Sequence, residues 1–591
     1  MKKVFTTMAG LLMAALALPT VAAAQSAASE PAIAFKSACG TRDKEADRYV
    51  QVYLKSSVAG EKFYVVVDGD STEYDMVKAA TLYNKKIAVT KPEVDVKIYG
   101  KTISFINFGY TDAYDVTIGA DGNNTITEFR CESNPITSID FVNGMKALTY
   151  LVLNNNKKLT SINIKNDALE RVKLGKQNSV KTFAMEGAKI YEFNLTNNNG
   201  IETIDLSKCP AMQSVTLTSD STLKSVKFNA PTTLKTITIT SSKLTSFEAK
   251  GLTALTTLAL TGNHELSAVT IEDCPVLGRI NLGSNNLESF SLSAMPKLTY
   301  LSIDSNPFKS LNLDLDALTT LYCEKTALKS ADFSKLPKVK TLYARNGVLE
   351  SIKLSDEALK NTLSNLYVSG NNFNLVNLPP RGPKMKPSKS YTTPYNYYAP
   401  QKNPTLPKVI NVGEKVDLSG YLYGHLYDTT AVVNSEYKWV TKFDEELQAG
   451  VDYTVKDGVF TFLREQEDSV ACFVTNSEFP WFKTYSDNKG TYDYRIATNY
   501  VVVTLPTGID AATTAKATPV ATSTVAGEIS VRQANGATVM IADIAGRVVA
   551  REAVADQKAF AVPSPGIYIV VVGDKRFKVK VKYPPQTNKS L

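Results

Sequence analysis

An enzyme needs a set of groups held at reacting distance, and the candidates in this chain are few. Its two histidines are His264, beside Asn263, and His425, in a tyrosine-rich stretch. Neither stands in the HExxH spacing that puts two imidazoles on one helix face for zinc, and neither a GxSxG elbow nor a GxxxxGK(S/T) phosphate loop occurs. Asp68-Gly69-Asp70 and Asp121-Gly122-Asn123 are acidic enough to touch calcium, but they lack the full ligand spacing of an EF-hand and are read as acidic turns. Carboxylate pairs of the glycosidase kind are not defined without a cleft. The chain is therefore expected to be no enzyme, with no cofactor and no metal. The residues left with chemistry to offer are Tyr300, Tyr322, Tyr343 and Tyr367, with Asp304, Glu324 and Arg345 beside them. Tyrosine is an amphipathic contact residue that loses little entropy when held.

What must position those tyrosines is a repeat. Between residues 126 and 378 the pattern LxxLxLxxN returns about twelve times, starting at Ile126, Leu148, Leu169 and so on to Leu363. The steps are 20 to 22 residues and the last is 24. Leu255, Leu258, Leu260 and Asn263 form one unit, and Leu277, Ile280, Leu282 and Asn285 the next. Each step holds a second half of the same kind, such as Leu287, Phe290 and Leu292. Two short extended segments per turn fit this, each pointing alternate side chains inward, and too few residues remain for a helix on the outer side. The reading is a mainly β protein built on a leucine-rich repeat solenoid of parallel strands. The asparagines fall where the chain leaves the strand, where an amide can serve buried backbone groups that no strand partner reaches. Gly347 breaks that series, with Asn346 one place early, and local irregularity is expected there.

Strand parity then sets the outward face. If Leu301 and Ile303 point inward, Tyr300, Ser302 and Asp304 point out. The same parity exposes Tyr322 and Glu324, Tyr343 and Arg345, and Tyr367 on the following repeats. Tyr322, Tyr343 and Tyr367 make one column on the concave face, with Tyr300 in the neighbouring column. Earlier repeats carry Thr236, Thr238, Thr240, Thr257 and Thr261, a bland β surface. The column is the candidate ligand-binding site, against the alternative that tyrosine merely suits exposed strands.

At the amino terminus Lys2 and Lys3, the apolar run from Leu11 to Leu18 and the small residues Val21 to Ala24 read as a secretory signal peptide over residues 1–24. The apolar run is shorter than the roughly 20 residues a membrane span needs, and no later stretch reaches that length. The formal charge of +8 falls to +6 without Lys2 and Lys3 and is spread thinly, unlike the basic face of a nucleic-acid binder. Of the six cysteines, Cys131, Cys209, Cys274 and Cys323 lie at least two repeats apart. That is beyond the roughly 7 Å reach of a disulfide when repeats stack at about 4.8 Å. Cys39 and Cys472 stay open.

Residues 32–125 read as an amino-terminal β cap, which a solenoid requires to cover its apolar end. Residues 379–407, rich in Pro and Tyr, read as a semi-extended linker. Residues 408–506 are an all-β, immunoglobulin-like sandwich, with a hairpin turn at Asp457-Gly458. Its Trp439 and Trp481 are assigned to packing before sugar stacking. Residues 507–526 are an Ala/Thr-rich linker and residues 527–583 a small β-domain. The wording of Arg130-Cys131-Glu132-Ser133-Asn134-Pro135-Ile136-Thr137-Ser138-Ile139-Asp140 resembles the leucine-rich repeats of secreted Bacteroidetes proteins, broadly similar to internalin-type repeats. The text Met540-Ile541-Ala542-Asp543-Ile544-Ala545-Gly546-Arg547, followed by Pro565-Gly566-Ile567-Tyr568, resembles the carboxy-terminal sorting domains of type IX secretion. Those resemblances imply export, a secreted or cell-surface location, and attachment at the outer membrane through the last domain. The expectation is a binding protein whose concave face holds a protein or glycan partner. The alternative is a structural envelope component with the solenoid as a rigid spacer, and a carbohydrate-active enzyme ranks below both.

Overall fold

The computed structural model describes residues 30–229, 232–385, 398–427, 431–487, 490–506, 519–524, 527–534 and 536–582. The expected signal peptide, the middle of the Pro/Tyr-rich stretch, most of the Ala/Thr-rich linker and the residues after 582 lie outside them. The chain divides into two compact units. One is Met1–Lys402 with His425–Val432 and Thr484–Tyr494; the other is Asn403–Gly424 with Val433–Lys483 and Arg495–Leu591.

The first unit is a parallel-strand solenoid. Twelve strands, from Glu128–Glu132 to Asn365–Tyr367, lie side by side in one sheet. Each pairs in register with the next, as Leu301 with Leu321 and Leu321 with Leu342. In-register parallel pairing brings the same repeat position back on every coil, so the leucines stack into one spine. Leu258, Ile280, Leu301, Leu321, Leu342 and Leu366 are all fully buried, each contributing about 1.5–3 kcal/mol of apolar burial. Among the described residues the second half of ten of the twelve coils forms a strand on the opposite side, a 3-10 turn at Asp140–Gly144 replacing it in the first, and these strands join only in pairs, such as Ser289–Ser293 with Ser310–Asp314. The long final step is taken up by a helical turn at Ala358–Thr362.

Where each front strand ends, one residue takes a left-handed conformation. Ser133, Asn155, Lys176 and their successors through Gly370 hold φ between 52° and 72°, and the next residue turns into the core, an Asn or Gln in most coils and Asp220, Ser242, Thr326 or Gly347 in the rest. Asn371 shows the result. Its Oδ1 accepts from the Gly347 and Leu349 N–H groups at 3.2 and 3.1 Å, and its Nδ2 donates to the Ala344 and Val368 carbonyls at 2.7 and 2.8 Å. The irregularity expected at Gly347 is absent. Asn371 reaches past it to serve the preceding coil, a Cβ at Gly347 would lie 2.9 Å from Asn371 Oδ1, and the strands on either side keep register.

Both ends of the solenoid are closed. At the amino end Ile103–Asn107 pairs parallel with Glu128–Glu132, and Tyr49–Ser56 and Tyr83–Ala88 extend the same sheet to fifteen strands. The same amino-terminal residues also form a five-stranded antiparallel sheet, and over the end of the spine Phe35 stacks on Phe108 at a centroid distance of 4.6 Å while Phe108 meets Phe129 edge to face at 5.5 Å. At the other end, the residues read as linker are packed where they are described. Gln401 adds one more rung: its Oε1 accepts from the Asn371 N–H at 3.2 Å and its Nε2 donates to the Val368 carbonyl at 2.9 Å. Tyr398 and Met385 are buried beside it. All six cysteines are buried free thiols. Burial pushes Cys131 and Cys472 up to about 12 and Cys209 to about 11.

In the second unit, residues 408–506 contribute two three-stranded sheets, one through Val459–Phe462 and one through Val470–Thr475. Trp439 is fully buried between them against Phe460 and Phe462, at 5.7 and 4.9 Å. Trp481 is buried as well. Residues 519–582 form a three- and a four-stranded antiparallel sheet around Ile529, Val531, Val539, Ile541, Val570 and Val572.

Candidate functional site

The front sheet presents three outward rows between its inward leucines. Tyr322, Tyr343 and Tyr367 are direct register partners on consecutive strands. Strand spacing is close to ring-stacking distance, so the register alone builds a ladder. Ring centroids lie 4.4 Å apart for Tyr322–Tyr343 and 4.5 Å for Tyr343–Tyr367, with planes within 8°. Tyr300 stands one row over and meets Tyr322 at 5.6 Å, tilted by 42°. All four are partly exposed. Burial, and then the neighbouring Tyr343 and Tyr300 phenols, raise the Tyr322 hydroxyl above its ordinary value.

Glu324 and Arg345, register neighbours in the third row, form an ion pair with both side chains largely covered. The Arg345 guanidinium also lies over the Tyr343 and Tyr367 rings, at 5.4 and 5.7 Å. Asp304 is held apart from that pair. Its carboxylate takes the Ser302 hydroxyl and covers Gly283. The structure thus gathers the four tyrosines with Glu324 and Arg345, and leaves Asp304 at the edge. Sequence reading missed Arg279, whose guanidinium lies 3.4 Å over the Tyr300 ring centroid. Parity would have found it, since Arg279 precedes Ile280 as Tyr300 precedes Leu301.

Because the rings cover one another, the ladder offers solvent a line of ring edges and hydroxyls, not flat faces. Stacking a sugar needs an open face; edges and hydroxyls suit the mixed apolar and hydrogen-bonding surface of a protein. The two carboxylates here are engaged, Glu324 by Arg345 and Asp304 by the Ser302 hydroxyl. His264 is exposed in a turn. The Asp68 carboxylate is taken by the Asp95 N–H at 3.0 Å and by Lys91 at 2.9 Å, a structural use.

Residues 507–581 match the model of a domain of unknown function, DUF6383. No curated protein matches the chain. Among solved structures it is similar to the functional domain of InlJ from Listeria monocytogenes, with 13% identity over 67% of this chain and 93% of that one, TM-score 0.28. It is similar to the L. monocytogenes internalin-like protein lmo2027, with 13% identity over 67% and 90% of the two chains, TM-score 0.24. YopM from Yersinia enterocolitica WA-314 shares 17% identity over 44% and 67%, TM-score 0.23.

Proposed function

We propose that this chain is an exported binding protein that holds a protein partner on the front sheet of its solenoid, with the tyrosine ladder as the central contact. Solenoids of leucine-rich repeats are binding scaffolds, because stacked coils create long continuous surfaces, and the comparisons indicate no catalytic family. The observation that carries the reading is the stacked run Tyr322-Tyr343-Tyr367 with its covered Glu324–Arg345 pair. Clustered aromatic and arginine residues of this kind supply most of the energy at protein interfaces. Self-stacking favours a protein over a glycan. Export rests on the leader read in residues 1–24, and no helix among the described residues is long and apolar enough to cross a membrane. The resemblance of residues 527–583 to sorting domains supports retention at the cell surface.

The experiment is capture from culture or host extracts by the purified chain, compared with a Tyr322→Phe/Tyr343→Phe variant and a Tyr322→Ala/Tyr343→Ala variant. Phenylalanine keeps the stack and removes the hydroxyls; alanine removes both. Loss of a reproducible protein band in the alanine variant, with the melting curve still cooperative, supports the site. Unchanged capture by the alanine variant rejects it, and no capture by any form, with loss of function only on deletion of whole repeats, favours the spacer.

A further inference from the structure

We infer that the amino-terminal end of the same sheet is a second docking surface, built for an extended acidic segment of a polypeptide. It lies outside the ladder and does not depend on it. Lys55, Phe105, Glu128, Tyr150 and Arg171 are successive register partners across five adjacent strands. Arg130 and Lys173 stand in the next row.

Cations and rings alternate along this strip. Lys55 Nζ lies 5.0 Å from the Phe105 centroid, and Arg130 lies 5.7 Å from both Phe105 and Tyr150. The Tyr150 ring also carries Arg171 at 4.0 Å and Lys173 at 5.6 Å. Phe105 and Tyr150 are themselves buried, so the cations form the surface and the rings are its backing. A ring beneath a guanidinium fixes its plane and leaves its N–H edge free for a carboxylate.

Charge decides what fits. Arg130 is taken by Glu128 at 2.6 Å, and Lys173 faces Glu192 at 3.8 Å. Glu192 is also the register partner of Arg171, so one carboxylate faces two cations there; among the described residues Lys55 has no ion pair, and Lys55 and Arg171 are both partly exposed. The strip therefore carries a net positive charge at each end, Lys55 at one and Arg171 with Lys173 over the single carboxylate of Glu192 at the other, with the neutral Glu128–Arg130 pair between them. A densely charged polyanion would meet Glu128 and Glu192, and a nucleobase or sugar would find both ring faces already covered. Two separated carboxylates on an extended chain match. Four strand steps separate Lys55 from Arg171, about 19 Å at about 4.8 Å each, a span covered by about six extended residues.

The test uses the full chain and synthetic, fluorescein-labelled ten-residue peptides, read by anisotropy. One carries two glutamates six residues apart on an uncharged background; the others replace both by glutamine or set them two residues apart. Specific binding of the six-residue spacing is expected. It should weaken about tenfold in Arg171→Gln or Lys55→Gln, weaken with added salt, and be unchanged in Tyr343→Ala. If one variant fails to fold, the other reads the opposite end of the strip. Equal binding of the glutamine peptide, indifference to both substitutions, or tight binding of heparin in place of the peptides would overturn the assignment. Loss in Tyr343→Ala would move the site to the ladder.

Discussion

Asp220 occupies the place where other coils have an asparagine, and it should weaken the fold at neutral pH. It is almost fully buried. Its Oδ1 accepts from the Asn198 backbone N–H at 2.9 Å and from Asn198 Nδ2 at 3.2 Å, while Oδ2 has no hydrogen-bond partner among the described residues. Burial pushes its carboxyl up from 3.8 to about 6, against the lowering effect of those two donors. The folded state therefore holds the proton more tightly than the unfolded one. Its stability is undiminished below the unfolded value and falls as pH rises through the folded value, by about 3 kcal/mol in all. Asp220→Asn removes that penalty. It also restores an N–H where Asn156 and Asn263 donate to the Cys131 and Ile239 carbonyls; by repeat register the acceptor here is the Leu195 carbonyl. Urea unfolding at pH 4, 6 and 8 checks this, with amide exchange at Asn198 as the local readout. The variant should gain about 3 kcal/mol at pH 8, with the gain shrinking towards pH 4. A gain independent of pH, or a less stable variant at pH 8, would refute the electrostatic account.

Asn371→Ala takes the amide from the Gly347 and Leu349 N–H groups and the Ala344 carbonyl, while the Val368 carbonyl keeps Gln401, and the chain should lose about 3 kcal/mol in urea unfolding; a loss under about 1 kcal/mol would mean that water replaces the amide. Gly370→Ala should destabilise by more than about 1 kcal/mol, since φ is 72° and the new Cβ would sit 2.5 Å from Asn346 Oδ1; thermal melting reads it. Gln401→Ala should raise amide exchange in Asn365–Tyr367 and leave the central coils unchanged, because it removes only the last rung. The cysteines should resist iodoacetamide at pH 8 in the folded chain and react at once in guanidinium, since burial holds their thiols protonated.

The solenoid was legible because its period fixes almost everything else. Parity placed Leu301 inward and Tyr300 outward, and in-register stacking turned Tyr322, Tyr343 and Tyr367 from a spacing into a ladder. The features that escaped the sequence are those without a period. Gln401 lies in a Pro- and Tyr-rich stretch after the last repeat, so its equivalence to Asn371 exists only in space. Lys55 and Phe105 belong to antiparallel strands of the cap, whose addition to the front sheet has no sequence signature, and Tyr150 and Arg171 gained meaning only beside them. Gly347 was read as a disturbance because the pattern compares residues, while the hydrogen bonds belong to the neighbouring coil. The pairwise joining of the outer strands left no mark at all.

The fifteen-stranded sheet has consequences for how copies of this protein meet. An unfinished parallel sheet invites a second chain to continue it. Here the first outer strand, Tyr83–Ala88, carries Lys85 and Lys86. Beyond the last strand, the Gly370 N–H is given to the Pro400 carbonyl at 2.5 Å and the Asn371 carbonyl is occupied by the Lys402 N–H at 2.7 Å. A molecule shortened to residue 378 would lose that stopper and open the edge of Asn365–Tyr367, so it should self-associate more readily than the full chain, as light scattering would read.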